Sequence, residues 1–323
     1  MTAPLDVENA ALQADPEGIV HGASGAVVEG RSLGQIAWMR FKRDRVAVAG
    51  GIFVIVLVVV AIVARFLPIP DPYALHTNLL DGNLGGAPKG SLGGVSSSHW
   101  LGVEPTNGRD IFSRILYGAG VSLLIAIPAT LVSVVIGAVA GVTAGYLGGT
   151  VDTFINWVMN VLLAFPVLVF SIALIAVVDN VNRIVLLIFV IGFFGWPYIG
   201  RIIRGQTLSL REREFVDAAR SIGAGNSHII FKQLMPNLFA PLLVYSTLII
   251  PTNILQEAAL SYLGVGVQIP TASWGQMLSA AVNWSTTDPM YMIVPGTALF
   301  LTVLAFNLFG DGLRDALDPR AGR

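Results

Sequence analysis

Residues 214–236 read EFVDAARSIGAGNSHIIFKQLMP, a polar stretch set between two charge-free hydrophobic blocks, 184–200 and 233–256. Within it, Phe215, Ala218, Ala219 and Ile222 recur at i, i+3, i+4 and i+7. That spacing places the four on one face of a short helix over about 212–223, which includes Glu214, with Asp217 and Arg220 on the opposite face. Gly223 stands where a helix needs a left-handed C-terminal residue. Asn226 or Ser227 can cap a second short helix, and Pro236 can end it. Two uses fit such an element: a docking surface for another protein, or an amphipathic helix lying on lipid. Periodicity alone does not separate them.

Composition sets the environment. The chain of 323 residues is 54% hydrophobic and 12% charged, against about 25% charged in ordinary soluble domains. That balance predicts a membrane protein. The sequence contains no cysteine, so disulfide and thiol chemistry are excluded. The net charge of -1 argues against nucleic acid as a partner. The three lysines, Lys42, Lys89 and Lys232, follow Phe41, Pro88 and Phe231, so no Gly-Lys-Ser/Thr phosphate loop is present.

The charge-free intervals map the spans: 46–64, 115–151, 153–178, 184–200, 233–256, 258–287 and 289–310. A helix needs about 20 apolar residues to cross the hydrocarbon. Residues 46–64, VAVAGGIFVIVLVVVAIVA, meet that requirement with their flanks. Further spans are expected within 118–145, 154–178, 184–200, 237–258 and 290–310. Interval 258–287, with Gly264, Gly266, Pro270 and Asn283, reads as a loop or re-entrant element. The predicted fold is therefore all-α, with six transmembrane helices. An inside N-terminus puts 14 of the 19 basic residues on the cytoplasmic side and 5 outside, as the positive-inside rule requires. Residues 1–35 are expected to form a mobile cytoplasmic tail, since their polar, acidic opening lacks the order of a signal peptide. The rest, 36–323, forms the membrane domain, with an outer loop over 68–111 and a cytoplasmic loop over 201–236. The Gly- and Ser-rich run near 82–98 reads as an exposed, poorly ordered tip.

Several motifs carry a resemblance. Asp217-Ala218-Ala219, then Gly223 and finally Pro236, is similar to the EAA loop of ABC importer permeases, with Asp217 in place of the leading Glu. His99-Trp100-Leu101-Gly102, followed by Gly108-Arg109-Asp110-Ile111-Phe112-Ser113-Arg114, resembles a segment of the C-type permeases for dipeptides, oligopeptides and nickel. Val103-Glu104 stands where Thr-Asp is usual. Glu257-Ala258-Ala259-Leu260-Ser261 through Trp274-Gly275, and Leu301 through Arg320, resemble the same branch. The resemblance covers roughly 36–320. It implies the type I ABC importer permease fold, with the 214–236 element as the coupling helix. It also implies four kinds of partner: a homologous B-type permease, two ATPase subunits, an extracytoplasmic solute-binding protein and the membrane lipid. The cargo would be a peptide, with nickel or another small solute as the alternative. ATP and magnesium would bind in the ATPase subunits, and this chain would carry no catalytic site and no cofactor. One departure stands out. Relatives place an Arg and an Asp three apart before the third span's LAFP, where this chain has Trp157 and Asn160. Losing both together leaves no unpaired charge.

His21, His76, His99 and His228 show no metal-ligand spacing. Asn253 and Gln256, a helical turn apart near the outer end of the fifth span, are candidate pathway residues, with Glu257 and Asn160 beside them. Bonding to a partner subunit is the alternative for the first two. For Glu257 the alternative is a structural role, capping a helix or pairing with a loop arginine. Gly137, Gly141 and Gly145, spaced by four, point to close helix packing. Arg109 and Asp110 read either as a surface ion pair or as part of an ordered outer element. The rival classes predict other signatures. An ion-driven secondary transporter needs ionisable groups in mid-span, and a membrane enzyme needs a metal cluster or a nucleophile–base pair. The sequence displays neither.

Overall fold

The computed structural model describes residues 33–178 and 181–317. The expected tail, 1–35, lies almost wholly outside them. In chain order the elements are α1 (Leu33–Arg43), α2 (Arg45–Val63), a two-stranded ribbon of β1 (Leu80–Asp81) and β2 (Ala87–Pro88), α3 (Ile111–Leu147), α4 (Gly149–Ala164), α5 (Val167–Val177), α6 (Arg183–Leu210), α7 (Glu214–Ser221), the single turn α8 (Asn226–His228), α9 (Met235–Tyr262), α10 (Trp274–Ala281) and α11 (Met290–Leu317). Among the described residues, five helices are long and apolar enough to span a membrane: α2, α3, α6, α9 and α11.

The third expected span is broken rather than continuous. α4 and α5 meet at 83° around Phe165 and Pro166, and they make a sixth crossing only if the bent pair counts as one. The cause is local. Proline disfavours helical backbone in the residue before it, and Phe165 is extended, at φ -76° and ψ 138°.

α3 and α6 form the centre. They lie almost in backbone contact because Gly137, Gly141 and Gly145 face α6 in succession. A Cβ on Gly141 would sit 2.5 Å from the Gly200 carbonyl oxygen, and one on Gly145 would sit 2.7 Å from Cβ of Thr207. The packing role read from their spacing is the one they have. α2 lies antiparallel against α11, where Gly50 faces the Ala305 carbonyl. Asp44 starts α2 by accepting hydrogen bonds from the amides of Val46 and Ala47 at 2.9 and 3.1 Å.

The interval 258–287 holds a short packed helix instead of an irregular loop. α9 runs on to Tyr262, the chain turns, and Ser273 caps α10 by accepting a hydrogen bond from the Gln276 amide. Trp274 is buried, and its indole N–H donates to the Ile115 carbonyl at 3.2 Å. The Gly-rich tip near 82–98 is folded into tight turns around the β1–β2 ribbon. Gly102, at φ +80°, lets the chain close on Gly93, whose carbonyl would be 2.2 Å from any Cβ there.

A charged knot pins this end together. Arg114, wholly buried at the start of α3, lies 3.1 Å from Glu104. Its guanidinium donates to Gln276 of α10 at 2.9 Å and to the carbonyls of Pro72 and Pro270. Tyr291 of α11 donates to Glu104 at 3.2 Å, and Arg109 lies 3.5 Å from the same carboxylate. Arg109 and Asp110 therefore form no surface pair with each other. Asp110 caps α3 through the Ser113 amide and contacts His99 Nδ1 at 2.8 Å. Glu104, the departure from the family pattern, is the hub. Removing one partner of a buried ion pair costs about 3–5 kcal/mol. Arg114→Met is expected to free the 68–111 loop, read as faster cleavage there by limited proteolysis of the solubilised protein. Glu104→Gln, which keeps the hydrogen bonds, should show a smaller effect.

Candidate ATPase-docking surface

α7 sits at the opposite end from that knot, held by two arms. Its first turn carries Glu214 and Asp217 and its last carries Arg220, the order that complements the helix dipole. Asp217 and Arg220 pair at 3.3 Å, exposed and of small energetic weight. The helix ends as its sequence demands. Gly223 has φ +80°, and the Ala224 amide donates back to the Ala219 carbonyl at 3.0 Å.

The first arm is the end of α6. Arg211 donates to the Gly145 carbonyl at 3.2 Å, and Arg204 clasps Asp152 of α4 at 2.5 and 2.6 Å. The second arm departs from expectation. Asn226 and Ser227 do not cap it; Gly225 takes the cap position without a side-chain bond. A π-helical turn, Ile229–Leu234, then leads straight into α9. Pro236 does not end a helix. It lies in the first turn of α9, at the junction where the π-helical turn passes into α-helix.

The apolar face of α7 is rotated from the expected one. Val216 and Ala219 are buried, with Phe215 packed beside them, against Tyr146, Ile203, Ile229 and Leu234. Ala218 and Ile222 point away. Ile222 is 86% exposed, the most exposed large hydrophobic side chain among the described residues. Successive helical residues are about 100° apart, so an apolar arc from 215 to 222 is wide enough to be shared. Its Val216 side anchors the helix, and its Ala218–Ile222 side is presented outward with Glu214, Asp217 and Ser221. Arg220 also lies over the Tyr146 ring, 5.4 Å from its centroid.

The pathway candidates divide. Asn253 is 2% exposed and donates to Thr130 on α3 at 2.8 Å. Glu257 is wholly buried and accepts hydrogen bonds from Ser122 and Ser261 at 2.9 and 2.7 Å. Both side chains are occupied within this chain, where interhelical bonding satisfies polar groups that lipid cannot. Glu257 meets serine hydroxyls rather than a loop arginine. Gln256 is half-buried on the neighbouring face. Asn160 is exposed on α4 and accepts from Arg201 at 2.9 Å. Trp157, one turn before it, stacks on Phe154 at 6.3 Å. The neutral pair thus still engages a cation. Sequence reasoning missed the Asp152–Arg204 clasp and the Arg114 knot, because Arg204, Gln276 and Tyr291 are remote in the chain from the groups they meet and no local periodicity links them.

Residues 133–323 match the family described as binding-protein-dependent transport system inner membrane component, and residues 32–85 match the N-terminal transmembrane domain of oligopeptide transport permease C. The chain is 40% identical over 283 residues to the glutathione transport system permease protein GsiD of Pectobacterium atrosepticum, covering 88% of this chain and 90% of that one. It is 41% identical, at 88% and 89% coverage, to the proteins of the same name from Escherichia coli O6:K15:H31 and Shigella boydii. The family match makes this bundle of spanning helices a transport permease. More narrowly, the chain belongs to the binding-protein-dependent ABC importer permeases, as a C-type subunit of the dipeptide/oligopeptide branch with the type I fold. It is a multi-pass bacterial membrane protein.

Proposed function

We propose that this chain is the C-type subunit of an importer for short peptides, with a glutathione-like tripeptide as the first cargo to test. The cargo reading rests on the relatives, which carry glutathione transport in their names. They favour a peptide over nickel. In this reading a homologous B-type permease completes the path, a solute-binding protein delivers the peptide, and two ATPase subunits bind ATP and magnesium. No bond chemistry belongs to this chain. The unit that does the work is 36–323, and 1–35 is a cytoplasmic tail.

One observation carries the mechanism. α7 presents Ala218 and Ile222 outward while Val216 and Ala219 lock it into the cores of α3, α6 and α9. A push on its outer face is therefore passed to three spans. Gln256 and Asn160 remain the candidates for a path, since Asn253 and Glu257 are buried and bonded within the bundle whereas Asn160 is exposed on α4. The reading is tested by reconstituting the four-component complex in proteoliposomes and following ATP-dependent uptake of labelled glutathione, dipeptide and nickel. Peptide uptake that requires this subunit is expected; nickel uptake alone would overturn the cargo assignment.

The orientation that this mechanism needs is α7 and both termini in the cytoplasm. Basic residues drive it, 14 against 5. A reporter inserted after Gly90 should read external, and one after Gly225 cytoplasmic. Reversed signals would remove the ATPase from reach of α7.

A further inference from the structure

Two apolar bodies make up the bundle, stacked along the length of its helices. One, at the α7 end, unites Ala138, Val142, Ile203, Val216, Leu238 and Ile249 among others. The far end is built from three adjoining clusters, which include Ile125, Ala129 and Phe194 in one, Ala126 and Ile254 in a second, and Ile111 and Met277 in a third. The boundary falls between Ala129 and Ala138 on α3, between Phe194 and Ile199 on α6, and between Ile249 and Ile254 on α9. On each helix this is close to the middle.

The boundary layer has a different chemistry from the bodies. Beside apolar residues such as Trp196 it holds buried polar side chains that bond across helices. Ser133 of α3 donates to the Gly192 carbonyl of α6 at 2.8 Å. Asn253 of α9 donates to Thr130 of α3, which itself donates to the Ala126 carbonyl at 2.8 Å. A threonine bonded back to its own helix in this way tends to bend that helix. Gly195 leaves room for Ser133, whose hydroxyl would lie 2.4 Å from any Cβ there.

All three helices also carry a proline at or next to this layer: Pro128, Pro197 and Pro251. Each proline lacks the N–H that would bond four residues back. The carbonyls of Leu124, Phe193 and Thr247 thereby lose their helical partners. Three weakened helices therefore lie at one height, flanked by packed bodies, where bending costs least.

We propose that ATP-driven movement of α7 bends this subunit at the Thr130–Ser133–Asn253 layer, so that the α7-end body turns against the far body. This rests on the permease reading above. Pro197, Pro251 and the Asn253–Thr130 bond act as positioning residues for transport. They set where the push applied at Val216 and Ala219 is converted to opening. The alternative is a subunit that tilts as one rigid unit.

The sequence has no cysteine, so introduced pairs are the sole labels on this subunit once the partner subunits are made cysteine-free, in the full complex in nanodiscs. Leu124→Cys/Val185→Cys reports within the far body. Leu147→Cys/Phe239→Cys reports within the α7-end body, and Val185→Cys/Phe239→Cys spans the layer. All four sites are exposed. Distances are measured by pulsed electron spin resonance without nucleotide and with a non-hydrolysable ATP analogue. The spanning distance should change by about 2 Å or more while both internal distances hold, at the scale of known helix shifts. A constant spanning distance in a complex that hydrolyses ATP and transports would overturn the hinge and leave the permease reading standing. Failure to assemble with any ATPase would overturn the reading itself. Independently, Pro197→Ala with Pro251→Ala restores two helical bonds. Peptide transported per ATP should fall several-fold, with ATPase activity retained. An unchanged ratio would also overturn the hinge.

Discussion

Ile222→Lys should fold and insert beside its partner permease normally and yet lose transport. Ile222 touches little of its own chain, so folding does not depend on it. A centrally placed apolar anchor in an interface is typically worth 2 kcal/mol or more, on the order of 30-fold in affinity. A lysine in that pocket adds the cost of a desolvated charge. Peptide-stimulated ATPase activity and co-purification of the ATPase subunits should both collapse. Gly223→Val should act similarly by another route. No atom lies within 4 Å of a Cβ at Gly223, so space is not the obstacle; the φ of +80° is. A β-branched residue there costs roughly 1–2 kcal/mol and unwinds the end of α7. Gly223→Asn, which tolerates that conformation, should keep most activity. Full coupling in Ile222→Lys would mean that α7 is not the docking element, and that its exposed side instead rests on lipid.

The second large effect lies in the centre of the bundle. Gly141→Leu is expected to abolish the folded protein. Even a Cβ at that position would stand 2.5 Å from the Gly200 carbonyl oxygen and 3.0 Å from the Arg204 amide nitrogen. These are backbone atoms, so no side chain can swing aside, and the long α3–α6 contact must open. Overpacking typically costs about 1–3 kcal/mol where a core can adjust, and more where it cannot. Size-exclusion chromatography of the purified complex should show aggregate or no subunit at all. Gly205→Leu is the control. It lies on α6 itself, with nothing within 4 Å of its Cβ, and it should leave the elution profile unchanged. A monodisperse Gly141→Leu complex would show that the bundle tolerates separation of its two central helices.

The spans were legible because lipid leaves charges few places, so intervals free of Arg, Lys, Asp and Glu follow the hydrocarbon closely. Gly223 was legible because only glycine adopts its backbone conformation at no cost. The glycine stripe on α3 was legible for a related reason: small residues at i+4 spacing have one common use between helices. Three other features had no local signature. Whether an apolar arc on α7 faces its own bundle or outward depends on what Val216 meets, namely Tyr146, Ile203 and Ile229. Asn253 looked like a pathway residue by type and depth, yet Thr130, 123 positions away, takes its hydrogen bond. Glu104 draws in Arg109 and Arg114 from its own stretch of chain and Tyr291 from 187 positions away. Composition and backbone stereochemistry act over a few residues and can be read in order along a chain. The partner of a buried polar group is chosen by which helices pack together, and only the tertiary structure makes that choice.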